Sequence, residues 1–244
     1  MKFRAFFLFF FIFLFTARIY PQGEWNNWYF GWNAAMKFSA GSIVILPPSP
    51  MYQVGIMGSS YSDSLGNLLF YSNGQSVYNR NHNIMPNGSG LLGGNASGQV
   101  VFTVPMPGTP NKYYIFTVGA TGIIGPIVGL YYSVIDMQLQ GGLGDIIAGM
   151  KNIQISSGDS TSQVMTAIRH HNNKDVWLVV LRHGHIKQYQ SYLINKTGIN
   201  MLPVTSTCGL KTDVRVASHY MMRISPDGKH LVCSDTIMEI CYFN

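Results

Sequence analysis

The chain has 244 residues, a formal net charge of +6, only 11% charged residues and three cysteines. Three of its basic residues (Lys2, Arg4, Arg18) and eight of its 14 phenylalanines lie in the first 22 positions. The remainder is therefore close to neutral and has no basic cluster or basic–aromatic stripe, which argues against a nucleic-acid partner.

Residues 1–22 read as a signal peptide. Lys2 and Arg4 form a basic start, and the apolar run Ala5 to Phe15 is shorter than the ~20 residues of a membrane span. Arg18 and Pro21 break it before a cleavage point near Gln22. Residues 23–244 are expected to form one all-β domain, with no membrane span after cleavage. In chain order the pattern predicts strands near Trp28–Gly31, Met36–Phe38, Ile43–Leu46, Gln53–Ser60, Leu68–Ser72 and Ser76–Asn79. It continues with Gln99–Pro105, Lys112–Val118, Gly129–Met137, Asn152–Ile155, Val164–His170 and Val176–Arg182. The last are Lys187–Ile194, Met201–Thr205, Tyr220–Ile224, His230–Ser234 and Met238–Phe243. Each is a short apolar or alternating block bounded by Gly, Pro, Asn or Asp, the signature of strands joined by tight turns.

One phrase recurs: a polar turn followed by an aromatic-rich strand. It appears as Ser62-Asp63-Ser64-Leu65-Gly66-Asn67-Leu68-Leu69-Phe70-Tyr71, then at Asn111–Phe116, Asn173–Val180 and Ser225–Val232. Recurrence at roughly 45–65 residues suits propeller blades. The expected fold is a partial β-propeller-like array of about four four-stranded antiparallel blades. Asp63, Gly66, Asp175, Asp227 and Gly228 are expected to shape its turns.

Trp28-Tyr29-Phe30-Gly31-Trp32-Asn33-Ala34, the stretch Ser62–Gly74, Val77–His82, Met85–Gly88, Tyr113–Val118, Gly129–Met137 and Gly141–Asp145 together resemble one family. It is the N-terminal propeller-like region of large secreted Bacteroidota proteins, labelled gliding-motility-associated or carrying polycystic-kidney-disease-type Ig-like domains and a type IX secretion tail. The resemblance spans about Asn26 to Asn244. It implies a non-enzymatic scaffold or binding module of a secreted or cell-surface adhesion or gliding-associated protein. Further blades, Ig-like modules and the secretion tail are missing, so the chain is expected to be a fragment of a longer one, periplasmic if the tail is truly absent. The N-terminal strand Asn27–Gly31 then lacks its partner or pairs with the fourth blade. An open arc of blades exposes apolar faces at both ends.

Catalytic constellations are sparse. His170-His171 and His183-Gly184-His185 lie at strand ends too far apart to converge on one ion, so neither metal nor cofactor is expected. The alternative function is a glycan-active propeller hydrolase, which needs two carboxyls ~5–10 Å apart. Asp63, Asp145, Asp175 and Asp227 read as turn residues, while Glu24, Asp136, Asp159, Asp213, Asp235 and Glu239 form no recognisable pair. No catalytic residue is assigned. Trp25 and Trp32, flanking the first strand, are the candidate ligand-stacking aromatics for a surface glycan or protein. Cys233 and Cys241 can face each other across one hairpin, as a bridge or as two small apolar thiols.

Overall fold

The computed structural model describes residues 23–39, 41–52, 58–94, 99–120, 127–157, 164–182, 188–207, 221–225, 227–234 and 238–243. The leader-like segment lies outside them. The described residues form five small antiparallel sheets arranged as a propeller. The first holds β1 (Asn27–Tyr29), β2 (Ala35–Ser39) and β3 (Ser42–Ile45). The second holds β4 (Ser59–Ser62), β5 (Leu68–Ser72), β6 (Ser76–Asn79) and β7 (Ile84–Ser89). The third holds β8 (Val101–Pro105), β9 (Lys112–Ala120), β10 (Ile127–Asp136), β11 (Asp145–Ile146) and β12 (Ile153–Ser157). The fourth holds β13 (Met165–Arg169), β14 (Val176–Arg182), β15 (Gln188–Asn195), β16 (Gly198–Ile199) and β17 (Val204–Thr207). The fifth holds β18 (Met221–Ile224), β19 (His230–Ser234) and β20 (Met238–Tyr242).

The all-β propeller expectation holds, with five blades instead of about four. The four recurring phrases are the turns between the first and second strands of sheets two to five. Each closes the same way: the residue opening the turn donates its N–H across to the far carbonyl. The pairs are Asp63 to Asn67 (2.9 Å), Met106 to Lys112 (2.9 Å), His170 to Asp175 (2.8 Å) and Ser225 to His230 (2.8 Å). Gly66 (φ 84°) and Gly228 (φ 74°) take the left-handed position, which costs glycine nothing. In the β13–β14 turn Asn173 takes it instead, and Asn172 rather than Asp175 caps the backbone, accepting from Lys174 N and Asp175 N.

The first sheet lacks the phrase because it is reversed. β1 runs alongside β4 in the opposite direction. Asn27 Nδ2 donates to Ser62 Oγ and to the Gly66 carbonyl, both at 2.9 Å, while the Tyr29 carbonyl lies at Gly58. Its β1–β2 turn carries Trp32 (φ 62°) and Asn33 (φ 60°) where a turn motif would carry glycine. β1 pairs with β2 in a sheet of its own, which corrects the alternative that it joins the fourth blade. β7 was also missed. Pro86 and Gly88 within it read as loop, yet β7 is the edge of its sheet, where a proline leaves no ladder bond unmade.

Four apolar cores fill the spaces between consecutive sheets. Tyr29, Ala35 and Met51 meet Tyr71 and Tyr78 between the first and second. Phe70, Val77 and Met85 meet Ile115, Ile135 and Ile146 between the second and third. Tyr114, Phe116 and Leu130 meet Leu178, Val180 and Tyr192 next. Val179, Leu181 and Tyr189 meet Met222, Leu231 and Cys233 last. Tyr29, Tyr71 and Tyr78 form a continuous stack, with centroids 4.2 Å and 5.0 Å apart and planes within 11° and 10°. Large apolar side chains stand exposed on both end sheets. Trp28, Ile43 and Ile45 stand exposed at one end, and Met221, Met238, Ile240 and Tyr242 at the other.

Register settles the cysteines. Cys233 lies opposite Glu239 and Cys241 opposite Leu231, so the two are diagonal neighbours. Diagonal neighbours sit ~7–8 Å apart, beyond the ~3.5–4.5 Å Cβ separation of a disulfide. Cys241 is disulfide-bonded, but not to Cys233, so of the two alternatives the bridge across this hairpin does not form. Cys208 lies outside the described residues.

A Cβ on Gly58 would stand 2.6 Å from the Tyr29 carbonyl oxygen, a backbone atom that cannot step aside. Gly58→Ala is expected to cost about 1–3 kcal/mol, with amide exchange accelerating first in β1 and β2. Unchanged exchange there would contradict this docking of the first sheet.

Candidate functional site

Two clefts open at the rim where the second and third sheets meet, and Lys112 lines both. One, of about 470 Å³, lies between the recurring turns of these sheets. Its walls are Glu24, Tyr61–Ser64, Pro105, Met106 and Gly108–Tyr113. Gly23–Trp25, a single 3-10 turn, brings in Glu24 because Gly23 N donates to the Ser64 carbonyl at 3.1 Å. Tyr61 and Tyr113 lean together with centroids 4.9 Å apart and planes at 56°. Trp25 sets its ring edge-on to Tyr61 at 5.8 Å.

Asp63 organises one wall. Its Oδ1 accepts from Leu65 N (2.9 Å) and Asn67 N (2.8 Å), and its Oδ2 from Asn67 Nδ2 (2.9 Å). Burial pushes this carboxyl up, but the hydrogen bonds outweigh it and hold the group below the usual aspartate range. Burial also pushes the Tyr61 phenol well up, helped by Tyr113 and Glu24 against a smaller lowering by Arg169. Tyr113 is raised by burial, then by Asp63 and Glu24. Glu24 thus acts on both phenols, and Asp63 on Tyr113.

The second cleft, of about 610 Å³, is lined by Asn87, Lys112, Asp136, Leu139 and Asp145–Ala148. It holds a carboxylate pair that the sequence reading missed. Asp136 and Asp145 are direct cross-strand partners on β10 and β11, where Asp145 was expected in a turn. Such partners have Cβ atoms ~4.5–5.5 Å apart, within reach of the separation a glycosidase needs. Their oxygens are already committed, however. Asp145 Oδ1 accepts from Asn87 N (2.8 Å) and Ile146 N (2.9 Å), and its Oδ2 from Gln140 Nε2 (3.2 Å). Asp136 Oδ1 accepts from Gln138 N (2.9 Å), and its Oδ2 pairs with Lys112 Nζ at 3.5 Å. This bonding ties β7 to the third sheet and shapes the turn after β10.

Neither candidate aromatic is on the lining of these two clefts; Trp25 packs edge-on against Tyr61, which is. Both are exposed, at 56% and 59%. Trp32 sits on the reversed β1–β2 turn, at the opposite rim, edge-on to Tyr52. His170 lies against His171 (centroids 4.1 Å apart) and against Trp177 (5.6 Å), each pair tilted by 34°, while His183 and His185 lie outside the described residues. Among the described residues no group of three or more His, Cys, Asp or Glu is placed to hold a metal ion, and no helix is long and apolar enough to cross a membrane. Comparison with protein-family models, curated proteins and solved structures yields no match.

The raised phenols have a pH consequence. A phenol whose folded pKa exceeds its unfolded value of ~10 contributes stability that is complete below that pH and is lost as pH rises through the folded value. Unfolding temperature is therefore expected to fall above pH ~10, and less steeply in Tyr61→Phe. Tyrosinate absorbance at that pH with the fold intact, removed by Tyr61→Phe, would contradict the burial of this phenol.

Proposed function

We propose that the chain is a non-enzymatic, exported scaffold and binding module of a cell-surface adhesion or gliding-associated system, binding a surface glycan or protein through the Glu24–Tyr113 cleft. The observation that carries this reading is the make-up of that cleft. Aromatic rings stand beside hydrogen-bonding groups from two adjacent turns, the combination by which a polar ligand with apolar faces is gripped and oriented. Export rests on the leader-like residues 1–22, and the cell-surface setting on the family resemblance. The hydrolase alternative loses support at Asp136 and Asp145, whose oxygens are occupied by backbone, amide and ammonium donors.

Affinity electrophoresis against a panel of bacterial surface polysaccharides tests the reading. Retardation by at least one polysaccharide is expected, weakened about tenfold (~1.4 kcal/mol) in Trp25→Ala with the unfolding temperature unchanged. Trp32→Ala, at the other rim, is expected to bind normally. Reducing-end release by the wild type that Asp145→Asn abolishes would favour the hydrolase instead.

A further inference from the structure

The free edge of β3 is unguarded. Ser42-Ile43-Val44-Ile45 carries no charge, no proline and no bulge, and its register with β2 is regular throughout. Such an edge is a template for another strand. The other outer edges are interrupted. β7 contains Pro86 and pairs irregularly with β6. The outer edges of the third and fourth sheets are each split between two strands, and β20 carries Glu239. Ile43 is 62% exposed, Val44 46% and Ile45 76%, so β3 is open on both faces.

The hydrogen-bond parity of this edge is fixed. Leu46 N donates to the Ala35 carbonyl at 3.0 Å, and bonded pairs alternate along an antiparallel ladder. Ala35–Leu46, Lys37–Val44 and Ser39–Ser42 are therefore the bonded pairs, and Ile43 and Ile45 lie at the non-bonded ones. The N–H and C=O groups of these two isoleucines accordingly point off the free edge. Among the described residues no other strand pairs there and no hydrogen bond reaches them. On the outer face, Trp28, Met36 and Ile45 form one cross-strand row, and Phe38 and Ile43 the next. Trp28 ties the rows together, edge-on to Phe38 at 4.9 Å.

We infer that β3 pairs with β3 of a second copy of this chain, antiparallel about a two-fold axis through Val44. One register meets every constraint. Ile43 opposed to Ile45 of the second copy, and Ile45 to Ile43, exchanges both N–H···O bonds at each pair. Opposing Ile45 to itself sets Ile43 against Pro47, which has no N–H to give. Opposing Ile43 to itself sets Ile45 against Gly41, in the left-handed turn (φ 79°). In the matching register the apolar rows run on across the axis: Trp28, Met36 and Ile45, then Ile43 and Phe38 of the second copy. Directly opposed side chains of this kind are what stabilise a sheet. Pro47 and Pro48 end the strand, so the shared ladder is short and the dimer weak and reversible. Pairing consumes this edge in both copies, so the assembly closes at two. The inference goes beyond the binding reading and does not rest on it. A dimer carries a cleft on each copy, and a repeating polymer held by both gains avidity.

The test is sedimentation equilibrium of the full chain over about two decades of concentration. Expected is a monomer–dimer equilibrium, weakened about tenfold or more in Val44→Lys, which sets like charges opposite each other on the axis. Its unfolding temperature is expected to stay unchanged, since Val44 is exposed. Val44→Cys places two thiols at a non-bonded pair, whose closely spaced side chains a disulfide can join. Mild oxidation is expected to trap that dimer. Ser42→Cys, opposed to Leu46 of the second copy, and the wild type are expected to stay untrapped. A monomer at every concentration overturns the inference. So does a dimer that Val44→Lys leaves unchanged and Val44→Cys does not trap, which moves the contact to another face, such as Met238–Tyr242. Growth past the dimer overturns the two-fold closure.

Discussion

Burial between neighbouring sheets is the interaction on which the rest of this molecule depends. No sheet has a core of its own. β9 sends Tyr114, Phe116 and Val118 to one side and Ile115 to the other. β14 divides Leu178 and Val180 from Val179 and Leu181 in the same way. A strand with two buried faces has no polar side to alternate with, so the middle sheets carry near-continuous apolar runs. Apolar burial of roughly 25 cal/mol per Å² then accrues between sheets, not within them. Among the described residues each end sheet shares a single core, and apolar side chains stand exposed on both.

What the sequence disclosed was whatever local chemistry alone dictates. The Asp63, Asn173 and Asp227-Gly228 turns announced themselves because a side-chain acceptor and a left-handed residue must sit at fixed offsets. The first sheet stayed hidden because Trp32 and Asn33 adopt that conformation without the usual residues, and because its direction is reversed. β7 was disguised by Pro86, which only an edge position explains. β11 has two residues, too few for any periodicity, and its brevity concealed that Asp136 and Asp145 are partners.

The cleft was only partly legible. Trp25 was identifiable as an aromatic beside a strand, but its value lies in where Gly23 is tied. Glu24, Tyr61 and Tyr113 are far apart in the chain and carry no motif. They converge because two consecutive blades place their turns on one rim, and that rim is a product of stacking. Trp32 had the same sequence credentials as Trp25, and the reversed sheet carried it to the opposite side.

The origin of Glu24 and Trp25 has one more consequence. A radial stack is held by nearest-neighbour contacts, so its terminal members open at lower free energy than its middle. The cleft draws one wall from the second and third sheets, and the other from a turn leading into the first, an end member. A ligand spanning both walls binds only while that end is docked, and mass action then favours the docked form. Occupancy and order of the first sheet are thus linked: the bound molecule acts as a clasp on the loosest joint of the stack, and its affinity reports how often that joint is closed.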